Sequence, residues 1–349
     1  MTKRNTTLTS KENFSEVNIV SVLQPFKLKP ACKDYLWGGD RLEKEYGKNY
    51  GISPLAETWE CSVHPDGVSI IDSGELKGMS LDAAIKKYPS MLGTHPKAIC
   101  SEGELPVLIK LIDAGQAASV QVHPDDEYAK AYENGENGKT EMWYVLDAKE
   151  DAELVYGFHQ NIDEEIVKKA VKDDCIEKYL QKVPVQKDDV FYIEPGLVHA
   201  IGEGILLAEI QQNSNVTYRL YDYNRKDQSG NLRELHLDKA LEVANLQKSE
   251  EPYQPMRVLQ YKPGFATELL CRCKYFQVER MLVNVQDAES VELVTAGRES
   301  FMILLCIEGE GELESDNKLE VKKGNCVFIP ADCGQLKLNG KMQLLKIRC

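Results

Sequence analysis

The segment Val185-Gln-Lys-Asp-Asp-Val-Phe-Tyr-Ile-Glu-Pro-Gly-Leu-Val-His199 aligns without gaps on Val321-Lys-Lys-Gly-Asn-Cys-Val-Phe-Ile-Pro-Ala-Asp-Cys-Gly-Gln335. Each copy reads as a polar turn, an apolar strand, a Pro-containing corner, and then a side chain expected to aim inward. Such self-similarity is the mark of a duplicated β-barrel unit. From Pro30 onward, short apolar runs broken by Gly, Pro, Asn and Asp point to antiparallel β architecture. Gln335 stands where the first copy has His199, and residues 255–349 contain no His. One unit is therefore expected to keep chemistry and the other to keep shape.

Helices interrupt this pattern. Ser80–Tyr88, Asp125–Tyr132 and Asp163–Ala170 each open on a Ser or Asp cap and carry apolar residues at three- and four-residue spacing. Leu235–Val243 is a further helical segment. The polar run Lys248-Ser249-Glu250-Glu251-Pro252 places the junction between a metal-binding catalytic unit, residues 20–250, and a metal-free unit, residues 251–349. Residues 1–19 are polar and charged, and are expected to form a flexible lead-in that lacks the apolar core of a secretory signal.

The net charge of −14 argues against nucleic acid and anionic membrane as partners, because both need basic surface. It leaves room for an anionic small substrate bound by a local cluster of Lys and Arg. No apolar run approaches the ~20 residues of a membrane span. The ten cysteines are scattered, only Cys271 and Cys273 being near neighbours. They read as free thiols in a reducing cytoplasm. Oligomeric state is not legible in the sequence.

Four residues in shared register carry the chemistry. In the strand-like run Ala117–His123, Gln121 and His123 lie two apart and project to the same face. Glu141 opens the apolar run Met142–Leu146, and His199 follows the expected strand Val190–Ile193 through a Pro-Gly turn. Two imidazoles, a carboxylate and an amide oxygen make a donor set for a borderline divalent metal, with space for water or substrate.

The motifs Asp34-Tyr35-Leu36-Trp37-Gly38, Ala56-Glu57-Thr58-Trp59-Glu60, Gln121-Val122-His123-Pro124, Lys139-Thr140-Glu141-Met142-Trp143 and Tyr218-Arg219-Leu220-Tyr221-Asp222-Tyr223 resemble those of the type I mannose-6-phosphate isomerases, in their short bacterial form, across roughly residues 22–349. The resemblance implies a mainly β fold of two cupin-type (jelly-roll) barrels with a few peripheral helices. It implies one zinc per chain, held by Gln121, His123, Glu141 and His199, and a sugar phosphate substrate. Ser119, Lys139, Glu209 and Arg219 match the family's polar pocket lining, and Trp37 its mouth. Arg225 stands where the family often has Lys, and with Trp37 and Ser119 is an expected substrate-binding residue.

Interconversion of mannose 6-phosphate and fructose 6-phosphate requires three things. Charge must be stabilised on an enediol or enediolate, a proton must move between C1 and C2, and the phosphate must be gripped. Arg219 suits the first task beside the metal, since a guanidinium bridges two oxygens. Glu209, Lys139 and a water on the metal are alternative proton carriers. Two other functions share the donor set: a non-haem iron cupin oxygenase and a non-catalytic sugar-binding cupin. Gln121 as a fourth ligand disfavours the oxygenase, and retention of Arg219 disfavours the sensor.

Overall fold

The computed structural model describes residues 23–349 except 102, 228, 255, 286–290 and 294–296; the expected lead-in, residues 1–19, lies outside the described residues. The first part of the chain forms β1 (Phe26–Lys29), β2 (Ala31–Lys33), β3 (Glu57–Cys61), β4 (Ile70–Ile71), β5 (Val107–Ala114), β6 (Val120–Val122), β7 (Glu141–Ala148), β8 (Glu153–Phe158), β9 (Leu180–Pro184), β10 (Val190–Ile193), β11 (His199–Ala200), β12 (Ile205–Gln212) and β13 (Tyr218–Tyr221). The rest forms β14 (Gln260–Lys262), β15 (Phe265–Arg272), β16 (Gln277–Val285), β17 (Val291–Leu293), β18 (Met302–Glu314), β19 (Lys318–Lys322), β20 (Cys326–Ile329) and β21 (Leu336–Arg348).

These strands build a six-stranded sheet in the order β10-β7-β12-β5-β3-β2, a five-stranded sheet in the order β13-β6-β11-β8-β9, and a ten-stranded sheet made largely of the later strands. The fold is mainly β, as expected, but the sheets are not closed barrels. The six- and five-stranded sheets each keep two edges and meet face to face through side chains, leaving a gap that the site occupies.

The six-stranded sheet is covered on both sides, so its strands read as near-continuous apolar runs. Alternation within them still sorts residues by face. Ile109, Leu111, Met142, Tyr144, Ala208 and Ile210 pack in the same core as Phe276, Ile303, Leu305, Phe328 and Leu345 of the ten-stranded sheet. Ile112, Trp143, Val145 and Leu207 pack on the other side, with Leu154 of the five-stranded sheet. Lys110, Glu141, Glu209 and Gln211 share the period of that second face, so the polar groups of these strands gather between the two sheets.

The ten-stranded sheet also takes in early strands: Leu28 of β1 pairs with Cys326 of β20 and, on its other side, with Ile71 of β4. The Phe26 ring stacks on Phe328 at 5.3 Å. A second tie runs from the β15–β16 turn, where Tyr275 donates to Asp126 at 2.7 Å. Asp126 also accepts from the Gly138 N–H, next to Lys139.

The helices are α1 (Arg41–Tyr46), α2 (Leu81–Lys87), α3 (Asp126–Tyr132), α4 (Glu164–Lys172) and α5 (Leu237–Val243). Asp125 and Asp163 cap α3 and α4 by accepting from the Tyr128 and Ile166 N–H groups. The α1 helix was not anticipated. The α5 helix starts later than Leu235 because His236 is bonded to Arg219, its N–H donating to the Arg219 carbonyl and its Nδ1 accepting from the Arg219 N–H. No helix among the described residues is long and apolar enough to cross a membrane.

The duplicated segment keeps its strand in both copies, as β10 and β20. The corner that follows does not keep its aim. Gln335 is exposed, contrary to the inward direction expected, while His199 is fully buried. In the second copy the chain leaves the corner with Cys333 and Leu336 buried instead, so the apolar core claims the space that a ligand would need.

Candidate active site

His123, Glu141 and His199 converge, with ligand atoms all within 4.8 Å of one another. Sheet register explains the convergence. His199 pairs directly with Gln121, and on the other side of β6 Gln121 pairs with Arg219, giving a lateral row of three candidate site residues. The Pro-Gly corner binds the two ligand segments together: Gly196 has φ of +86° and donates its N–H to the His123 carbonyl at 2.9 Å. A side chain at that φ would be strained.

Each imidazole is oriented by a backbone carbonyl. His123 Nδ1 lies 2.8 Å from Val216 O and His199 Nδ1 lies 2.8 Å from Leu197 O. A carbonyl only accepts, so Nδ1 carries the proton in both rings and the Nε2 lone pairs face the centre. His199 Nε2 is buried without a hydrogen-bond partner. Glu141 Oε1 lies 3.3 Å from His123 Nε2, and Glu141 Oε2 lies 3.8 Å from His199 Nε2. Trp143 Nε1 donates to Glu141 at 3.1 Å and to Glu209 at 2.9 Å, fixing both carboxylates.

Protonation also suits a cation. Burial, reinforced by the Lys139 ammonium, pushes His123 down to about 3, and burial lowers His199 as well. Burial alone would raise Glu141, but the Lys139 ammonium outweighs it and holds the carboxyl well below the usual range. Two neutral imidazoles and an ionised carboxylate, with an orphaned buried lone pair among them, fit a divalent metal. Lys139 Nζ stands 2.6 Å from Glu141 Oε1 and 3.3 Å from His123 Nε2.

Beside Glu141 the six-stranded sheet presents a second buried charge cluster, joined to the first through Trp143. Lys110 Nζ lies 2.9 Å from Glu209 and 3.6 Å from Glu57, and Trp59 Nε1 donates to Glu57 at 2.7 Å. Burial opposes the Lys110 charge, but Glu209, Glu57 and Glu141 together raise its pKa. Glu209 is pushed up by burial and by the negative charge of Glu141, with Lys110 opposing.

Beside these clusters lies a cavity of about 230 Å³ whose lining includes Trp37, Ser119, Gln121, Lys139, Glu209 and Arg219. Close backbone packing places Trp37. A Cβ on Gly38 would come within 2.6 Å of the Ala56 N atom. The structure thus brings together, at the cavity or immediately behind it, every sequence-derived site residue except Arg225. That guanidinium is turned into the protein, donating to Ala117 O at 2.5 Å and to the Asp222 carboxylate.

Sequence reasoning passed over Glu57, Lys110, Tyr35 and Arg233, which also line the cavity. A signal existed for Lys110: a lone cation inside the buried run Val107–Ala114 requires buried carboxylates opposite it. All ten cysteines are free, as expected.

Residues 25–161 match a family model for the phosphomannose isomerase type I catalytic domain, and residues 266–349 match one for the mannose-6-phosphate isomerase cupin domain. A mannose-6-phosphate isomerase of Bacillus subtilis is 37% identical over 319 residues, 91% of this chain and 96% of the relative. One of Streptococcus mutans is 32% identical over 323 residues, 92% of this chain and 97% of the relative. The crystal structure of the mannose 6-phosphate isomerase from Bacillus subtilis superposes with a TM-score of 0.83 at 32% identity, covering 93% of this chain and 99% of that one. Identity at this level, sustained from one end of the fold to the other, means that the chain belongs to the type I phosphomannose isomerases.

Proposed function

We propose that the chain interconverts mannose 6-phosphate and fructose 6-phosphate, by proton transfer between C1 and C2 of the opened sugar through an enediol or enediolate. One zinc would be held by Gln121, His123, Glu141 and His199. The observation that carries this reading is the convergence of His123, Glu141 and His199 directly behind a cavity walled by Lys110, Lys139 and Arg219. A divalent cation there supplies Lewis acidity toward the sugar oxygens.

The chain's own residues supply the rest. Arg219, in register with Gln121, is placed to bridge oxygens on the reacting carbons and to stabilise charge as it develops. Glu209, its carboxyl raised by burial, and Lys139, against the metal ligands, are the two side chains placed to take and return the proton. Glu57 and Lys110 hold Glu209 in place, while Trp37, Ile112 and Ile201 supply the apolar wall that limits water.

Residues 20–250 form the catalytic unit in this reading and residues 251–349 the metal-free unit, with β1 and β4 reaching into the sheet of the second. A reducing cytoplasm suits ten free thiols, several of them held protonated by burial. The test is coupled turnover of mannose 6-phosphate together with metal analysis of the same preparation. Turnover with about one zinc per chain is expected. Protein that is folded and metal-loaded but inert toward mannose 6-phosphate would exclude the assignment.

A further inference from the structure

Three arginines, Arg219, Arg225 and Arg233, stand close together, but only Arg219 and Arg233 line the cavity. Arg225 is spent on the protein: it donates to Ala117 O, to Asp222 O and to the Asp222 carboxylate. Arg219 and Arg233 both line the cavity. Arg219 Nη1 donates to Glu234 O at 2.6 Å, but its Nε is buried without an acceptor. Arg233 reaches the Asp222 carboxylate at 3.3 Å. Asp222, itself 4% exposed, is thus shared between Arg225 and Arg233.

These contacts leave the group short of anions. Two of the guanidiniums share one carboxylate, Arg219 has no ion-pair partner among the described residues, and its charged form is disfavoured by burial and then by Arg233 beside it. Like charges held together at a cavity wall cost free energy unless an anion joins them. A phosphate monoester, with a charge near −2 at neutral pH and three acceptor oxygens, is the complement in charge and in fork geometry.

Taking the sugar phosphate reading above as its basis, we infer that Arg233 is the residue that grips the phosphate of the substrate, and that Arg225 does not contact it. Arg225 acts as a positioning residue: it braces Asp222 against the strand-entry segment at Ala117, and Asp222 in turn aims Arg233. Arg219, one strand from Gln121, stays with the reacting carbons.

The test uses the full chain loaded with metal and two probes, mannose 6-phosphate in turnover and inorganic phosphate in calorimetry. Arg233→Gln is expected to raise KM for mannose 6-phosphate and Kd for inorganic phosphate together, by roughly 10- to 100-fold, the range for losing a charge-assisted contact. The effect on kcat is expected to be much smaller, and Arg233→Lys should recover part of the loss. Unchanged phosphate affinity in a folded Arg233→Gln protein overturns the inference, as does a fall confined to kcat.

Should Arg233→Gln fail to fold, the unmutated protein decides. Phosphate is expected to protect Arg233 from a dicarbonyl reagent, with the modified peptide mapped by mass, and absence of protection overturns the inference. Phosphate binding does not require turnover. A parent protein that binds phosphate through Arg233 yet leaves mannose 6-phosphate unchanged would therefore defeat the functional reading and not this one.

Discussion

Gln121 and His199 are direct cross-strand partners, and Arg219 faces Gln121 from the opposite side of the same strand. An amide, an imidazole and a guanidinium that are far apart in the chain are thereby set in one row, at the ~5 Å spacing of neighbouring strands. The row aims the candidate metal donors and the Arg219 guanidinium at one space.

Removal of one imidazole should therefore separate metal binding from folding. His199→Ala is expected to lose zinc and turnover, and chelation of the parent should do the same with the far-ultraviolet spectrum largely kept, since the apolar clusters that hold the sheets are built from other side chains. Metal stoichiometry by mass spectrometry beside a turnover assay checks this. Full zinc content in His199→Ala would show that the ligands had been misassigned.

Arg219 has no place in the metal's donor set. Arg219→Ala should keep zinc and fold and lose about 10²- to 10³-fold in kcat, the range for removing one preorganised transition-state contact. Arg219→Lys should restore only part, because an ammonium cannot bridge two oxygens in a planar fork. Steady-state kinetics on metal-quantified protein decides, and a rate near the parent's in Arg219→Ala would refute the role.

The Lys110 cluster makes a stability prediction. Lys110→Met would leave Glu209 and Glu57 buried without their cation, a loss of roughly 3–5 kcal/mol at neutral pH. Adding Glu209→Gln to that background should recover part of the loss, since the amide carries no charge to strand. Denaturant melts of the two variants read this directly, and additive losses would mean that the pair is uncoupled.

Gln335, at the position that corresponds to His199, is exposed. Being exposed, it should tolerate Gln335→Ala within about 0.5 kcal/mol, with zinc content unaltered. Any loss of zinc in that variant would assign metal binding to the wrong unit.

Much of this protein was legible in order along the chain. The strand Val190–Ile193, the Asp caps of α3 and α4, and the ordered set Gln121, His123, Glu141 and His199 follow from local rules: period-two projection, capping, and the fixed φ of a Pro-Gly corner. The tertiary structure alone decided which charges meet. Lys110 and Glu209 lie in strands that read as apolar, and only the β12–β5 register sets them opposite each other. It decided likewise that Arg225 turns inward to Ala117 while Arg233 lines the cavity, and that Gln335 is exposed where His199 converges with His123 and Glu141. Local sequence dictates how a side chain can project; burial and charge pairing depend on which distant strand lies alongside, and that is settled only when the sheets pack.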